Sequence, residues 1–175
     1  MRQLMIVLAM LCVLCADSLV QARYPYPDYW NGDINYPLVA GKQGLVWYLD
    51  KNSIKTRRID DASIVIACEV VEIDECGHEN YKTGKDGTLR SRDTKFYYYD
   101  EGSTKMYNLQ VENGEVTGKG FLDPLWNAAG ADRPRDIGEA AYYVACRKKF
   151  YGAYKWSNNK SKDIEVYPAS FYSKL

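Results

Sequence analysis

Two places in this chain carry the side chains most often used for metal or nucleophile chemistry. Cys68, Cys76 and His78 lie close together, and Cys146 follows far downstream. The run Cys76-Gly77-His78 brings a thiol and an imidazole within one residue of each other, but zinc sites take paired ligands at wider spacing and need a fourth ligand. A Cys–His nucleophile pair requires the base to be aimed at the sulfur by a third group, and adjacent loop residues do not supply that geometry. His78, the single histidine of the chain, is therefore expected to be a solvated loop residue. Acidic pairs occur at Asp60-Asp61, Asp74-Glu75 and Asp100-Glu101, each at a predicted turn or strand end. Glycoside hydrolysis needs two carboxylates facing one another across a cleft, whereas turn residues use such groups to bond their own backbone. The glycines at 84–87 and 114–120 lack the strand-to-helix context of a phosphate loop. We expect no catalytic residue, no cofactor and no metal site; an exported hydrolase using a carboxylate pair is the alternative.

The cysteines can instead be read as redox chemistry, and that reading depends on compartment. Residues Met1–Ala22 begin with Arg2, pass through the apolar block Leu4–Cys15 and end on Val20-Gln21-Ala22. A charged start, an apolar centre and a small-residue end form a secretory signal peptide. The centre is short for a bilayer span, and Asp17 interrupts it. The residues before Cys12 (Ala9-Met10-Leu11) and before Cys15 (Cys12-Val13-Leu14) lack the small pair that lipidation needs. The expectation is cleavage near Ala22 and an exported product (periplasmic, surface-held or secreted) with no stable membrane insertion afterwards. Cys12 and Cys15 leave with the signal. Cys68, Cys76 and Cys146 remain, an odd number that allows one internal disulfide and one free or intermolecular thiol. Cys68 shares a strand face with Ile64, Ile66 and Val70, and Cys146 shares a helix face with Tyr143 and Phe150. Packing that helix on that strand would join Cys68 to Cys146 and leave Cys76 as the free thiol; Cys76–Cys146 stays open.

Composition narrows the partners. Lys and Arg together number 23, as do Asp and Glu, so no basic stripe exists for nucleic acid and no polybasic patch for a membrane. Arg147-Lys148-Lys149 reads as cations at a helix C-terminus. Tyrosine is the outlier, at sixteen. Its ring suits a half-buried sheet and its hydroxyl suits a binding surface. Tyr97, Tyr98 and Tyr99 are the candidate surface for an unidentified protein or glycan.

These residues must be held by a small set of elements. After the signal (1–22), residues 23–44 read as a Tyr/Pro-rich arm lying over the domain or leading away from it: Tyr24-Pro25-Tyr26-Pro27 alternates aromatic with proline, and Asn31-Gly32 and Tyr36-Pro37 are turn signals. The domain itself, 45–175, is one unit of ordinary size. Leu45–Leu49 is a strand, Asp50–Ser53 a polar turn, and Ile54–Arg58 a short second strand. Ser63–Ile73 is apolar on both faces, as a covered central strand should be. A polar loop from Asp74 to about Arg92 precedes the strand Thr94–Tyr99. Met106–Val111 and Glu115–Phe121 flank Asn113-Gly114, a two-residue hairpin signal. Counting from that turn sets Val111 opposite Val116, Leu109 opposite Gly118 and Tyr107 opposite Gly120. Asp136 followed by Glu139 forms a capping box for a helix Ile137–Tyr151, ended by Gly152. With apolar residues on two sides, that helix should lie between the sheet and a second cover such as the arm. Lys162–Tyr167 is a last edge strand. The fold class is α+β: an antiparallel sheet of about four to six strands with one helix of the C-terminal half on a face.

Trp47-Tyr48-Leu49-Asp50 followed by Ser53-Ile54 resembles the opening of bacterial surface-adhesin protein E-like domains. The long strand Ile64–Ile73, the aromatic strand Phe96–Asp100, the hairpin and a late helix carrying Cys146 follow in the same order, so that the likeness spans Leu45 to Tyr151. This chain lacks the lipidation motif and the mid-hairpin cysteine of such relatives. The resemblance implies a small antiparallel sheet backed by a C-terminal helix, exported to the envelope or surface, with a non-enzymatic role in binding.

Overall fold

The computed structural model describes residues 26–75, 87–124, 132–151, 154–157 and 162–175. The expected signal segment 1–22, Cys76 and His78 lie outside them. Six strands pair in chain order, each antiparallel to the one before: β1 (Leu38–Lys42), β2 (Leu45–Asp60), β3 (Ser63–Asp74), β4 (Thr88–Asp100), β5 (Lys105–Glu112) and β6 (Glu115–Phe121). One helix, α1 (Asp132–Cys146), crosses one face. A separate hairpin, β7 (Tyr154–Ser157) and β8 (Lys162–Glu165), and a short helix α2 (Ala169–Tyr172) complete the chain. The fold is α+β, as the hydrophobic patterning implied. Lys162–Glu165 pairs only with Tyr154–Ser157 and so is not an edge strand of the main sheet.

Alternation along β3 explains the layering. Ile64, Ile66, Cys68 and Val70 face α1 and are buried with Leu49, Tyr97, Tyr99, Met106, Ile137, Ala140 and Ala141. Val71 and Ile73 point the other way and form a second core with Val46 and Tyr48. The arm covers this second core through Tyr26, Trp30, Tyr36 and Leu38. Both covers exist because β3 is apolar on both faces, and each face needs something to exclude water. The arm lies on the back of the sheet, so it is not the outer cover of α1. That part falls to the C-terminal segment, where the rings of Tyr143 and Tyr172 stand 4.8 Å apart. The end of the expected arm also becomes a strand, because 38–42 pairs with β2.

Three local expectations are displaced by longer-range pairing. Asp50–Ser53 does not turn the chain. It forms a bulge inside one long β2, with Asp50 opposite Glu69 and Lys55 opposite Ala67. The polar side chains knit the bulge together: Asn52 N donates to Asp50 Oδ1 (3.0 Å), Ser53 Oγ donates to Asp50 O (2.7 Å), and Glu69 N donates to Ser53 Oγ (2.7 Å). In the hairpin, Asn113 and Gly114 adopt φ of 53° and 85°, as a two-residue turn matched to strand twist requires. Val111 faces Val116 as counted, but a shift after Gln110 then sets Leu109 opposite Lys119 and Tyr107 opposite Phe121. Gly118 and Gly120 lie opposite Gln110 and Asn108. The helix starts earlier than its capping-box signal. Pro134 falls in the first turn, where no helical N–H partner is lost. It ends at Cys146, because Arg147 takes φ of 55° and donates its N–H to Tyr143 O at 2.8 Å.

Candidate functional site

The sheet's register builds a surface on its back face. Arg57 pairs with Val65, Val65 with Tyr98, Tyr98 with Tyr107, and Tyr107 with Phe121. Beside that row, Lys55 pairs with Ala67, Ala67 with Phe96, Phe96 with Leu109, and Leu109 with Lys119. Directly opposed residues of antiparallel strands share a face, so these two rows lie side by side across five strands. The arm stops short of them. At the boundary stands Arg92, whose guanidinium lies over the rings of Trp30 (5.9 Å) and Tyr36 (5.5 Å) and pairs with Asp50 (3.2 Å) and Glu69 (3.3 Å). Beyond Arg92 no described element covers the rows: Val65, Phe96, Tyr98, Tyr107 and Leu109 are half-buried, and Phe121 is 47% exposed. The Tyr98 and Tyr107 rings lie 6.0 Å apart, and those of Tyr107 and Phe121 lie 5.5 Å apart. Lys119 Nζ sits over both tyrosines, at 3.8 and 4.0 Å from their centroids, a cation–π arrangement.

Of the three tyrosines expected to form a binding surface, only Tyr98 is on this face. Tyr97 and Tyr99 are 2% and 0% exposed. Consecutive strand residues alternate faces, and α1 covers the odd-numbered pair. Tyr99 donates its hydroxyl to Gly138 O (2.8 Å), and burial raises the pKa of both phenols well above the ordinary value. Tyr107, Phe121 and Lys119 belong to the surface but escaped sequence reading, because the hairpin shift that pairs them begins at a bulge.

The thiols do not meet. Cys68 and Cys146 are both free, which corrects the expected bridge. Cys146, at the last residue of α1, lies near Glu101 and Arg58, at the strand end where Ile64 pairs with Tyr99 and Arg58. Cys68 lies farther along β3, four residues beyond Ile64, within the core beneath α1. Burial pushes the Cys68 thiol up to about 12, and burial followed by the Glu101 charge raises that of Cys146. The other pairing, Cys76–Cys146, involves a residue outside the described set.

Three of the acids that sequence singled out, Asp60, Asp100 and Glu101, are engaged by neighbouring groups. Asp60 Oδ1 accepts Ala62 N (2.9 Å), and Asp100 accepts both Ser103 N (3.0 Å) and Ser103 Oγ (2.6 Å). The Ser63 side chain and then the Ala62 N–H lower the pKa of Asp60, and the Ser103 hydroxyl and then its N–H lower that of Asp100. Glu101 pairs with Arg58 at 2.8 Å and accepts the Tyr142 hydroxyl at 2.5 Å, and those two hydrogen bonds lower its pKa. A groove of about 350 Å³ on the helix side does hold two carboxylates, Glu72 and Asp93. Glu72 accepts Trp47 Nε1 (2.9 Å), and Asp93 accepts Ser91 Oγ (2.9 Å), the latter bond lowering the Asp93 pKa first among its causes. A general acid would need the opposite shift. Among the described residues no group of three His, Cys, Asp or Glu side chains is placed to hold a metal ion, and no helix is long and apolar enough to cross a membrane.

No family model, curated protein or solved structure matches this chain.

Proposed function

We propose that this chain is an exported, non-enzymatic domain of the envelope or cell surface. It binds a protein or glycan through the uncovered half of its back face. The observation that carries this is the pair of cross-strand rows centred on Tyr98 and Tyr107, which leaves aromatic and aliphatic side chains in water while the arm shields the rest of the same face. A contiguous apolar patch of this kind marks interaction surfaces, and aromatic residues concentrate in them. The N-terminal signal pattern and the likeness to surface-adhesin protein E-like domains support the same role. The hydrolase alternative is weaker, because Glu72 and Asp93 are already bonded to neighbours and Asp93 is biased toward its ionised form.

The test is retention of purified envelope and matrix components by the immobilised exported form. Its N-terminus, read by mass spectrometry, should begin near Arg23. A double variant, Tyr107→Ser with Phe121→Ser, should melt within a few degrees of the parent and lose the retained component. Equal retention by parent and variant would count against the back face as the binding surface.

A further inference from the structure

The uncovered face carries cations without ion-pair partners among the described residues as well as apolar area, while the acids of the adjoining row, Asp60 and Asp100, are held by Ala62 and Ser103 at the turns. We infer that its partner is a polypeptide segment that presents apolar side chains among acidic ones, an inference that rests on reading this face as the binding surface.

The whole chain is electrically balanced, so the charge here is local. Lys55 and Arg57 begin the two rows on β2, and Lys119 ends one of them on β6. All three are exposed. None forms an ion pair with a described residue, whereas on the same face Arg92 is matched by Asp50 and Glu69. Lys119 reaches inward from the edge strand β6, and the Tyr98 and Tyr107 rings beneath its ammonium remove water from one side and leave the other side open. A carboxylate arriving there meets a partly desolvated cation flanked by rings, where charge–charge attraction is stronger than in open water. The intervening Val65, Ala67, Phe96, Leu109 and Phe121 offer nothing for a carboxylate, and burying them needs apolar groups from the partner.

This combination discriminates among occupants. A second copy of the chain packed face to face would bring Lys55, Arg57 and Lys119 near the same cationic set of its partner, a like-charge contact. A sulfated or carboxylated glycan would satisfy the cations but bring few apolar groups to the aliphatic part of the rows. An acidic, apolar-spaced polypeptide satisfies both.

The experiment uses three fluorescent peptides of equal length with identical Leu and Phe positions, the remaining positions being all Glu, all Gln or all Lys. Binding to the exported form is followed by anisotropy. The Glu peptide should bind about tenfold tighter than the Gln peptide, as a few half-screened ion pairs allow. That gap should narrow with added salt, and Arg57→Glu with Lys119→Glu should abolish or reverse it. Equal binding of the Glu and Gln peptides, or preference for the Lys peptide, overturns the acidic partner while leaving the face as a binding surface. Phosphatidylglycerol vesicles that bind and displace the Glu peptide, with no effect of Phe121→Ser on that displacement, overturn it in favour of a membrane. If no peptide binds, or if Tyr107→Ser with Phe121→Ser leaves Glu-peptide binding intact, the binding face falls and this inference falls with it.

Discussion

Glu139 and Tyr172, thirty-three residues apart, are joined by a buried hydrogen bond in which the phenol donates to Oε1 at 2.8 Å. The same carboxyl accepts the backbone N–H groups of Phe150 (2.9 Å) and Tyr151 (3.2 Å). One side chain on α1 therefore holds the segment leaving the helix and the last helix of the chain. Its own exposure is 0%. Glu139→Ala should orphan three donors in a dry site. At about 1–3 kcal/mol for each unsatisfied buried group, a loss near the lower bound for three donors still lowers Tm by roughly 10 °C in a domain of this size. Thermal unfolding monitored by near-ultraviolet dichroism reads the change; a Tm within a degree or two of the parent would mean that the C-terminal segment is held by other contacts.

Ionisation of the same carboxyl has a defined sign. Desolvation by burial raises its pKa, and this outweighs the lowering by Tyr172, Tyr151 and Phe150. The folded value thus lies above the unfolded one. The stability contributed by Glu139 is fully present below the ordinary carboxylate range and declines as pH rises through the raised folded value. Glu139→Gln has no such decline. Across a weakly acidic to neutral series, the Tm of Glu139→Gln relative to the parent should therefore climb with pH. A relative Tm that falls with pH would show that the three donors win and that the folded pKa is depressed.

The clasp around Glu139 marks where sequence reading stops. Asp136 with Glu139 has the spacing of a capping box, and nothing local distinguishes that from a glutamate claimed by residues 150, 151 and 172. The Asn113-Gly114 turn was legible because two positive φ angles depend on the turn residues themselves. The pairing beyond Val111 was not, because a bulge is settled by what the two strands pack against. Asp50–Ser53 followed the same logic: its side chains make turn-like bonds, yet pairing with β3 on both sides keeps the chain running straight through. Strand alternation separates Tyr98 from Tyr97 and Tyr99 in any sequence, but choosing the wet face requires knowing where the helix lies. The surface on the back face was half visible, as an excess of tyrosine without an address.

Gly138 sets the distance between helix and sheet. A Cβ added there would stand 3.0 and 3.1 Å from Tyr97 Cδ1 and Cε1 and would press on the Met106 sulfur. Met106 can bend away, but Tyr97 is locked beneath α1 and the Gly138 carbonyl is fixed by Tyr99. Alanine improves helix propensity by up to about 1 kcal/mol, while overpacking a filled interface costs about 1–3 kcal/mol. Gly138→Ala should accordingly lower stability by about 1 kcal/mol net, read as a shifted denaturation midpoint with unchanged slope. A stabilised variant would mean that the helix can ride outward without loss.

The thiols provide the sharpest check on the core. In a Cys76→Ser background, Cys68 lies under α1 at 0% exposure with its ionisation pushed up to about 12, and Cys146 is half-buried with its pKa raised by burial and by Glu101. Reaction with a thiol reagent requires the thiolate, so both should react slowly in the folded state. Cys146 should react first, on local fraying of the helix end, and Cys68 only at the rate of global opening. Denaturant should release both at once. Air oxidation should leave the two thiols countable and give no Cys68–Cys146 peptide in a non-reducing digest, because both are free in the fold and both are kept protonated by burial. Recovery of that cross-linked peptide from protein that still melts cooperatively would show that the two thiols meet in the folded state.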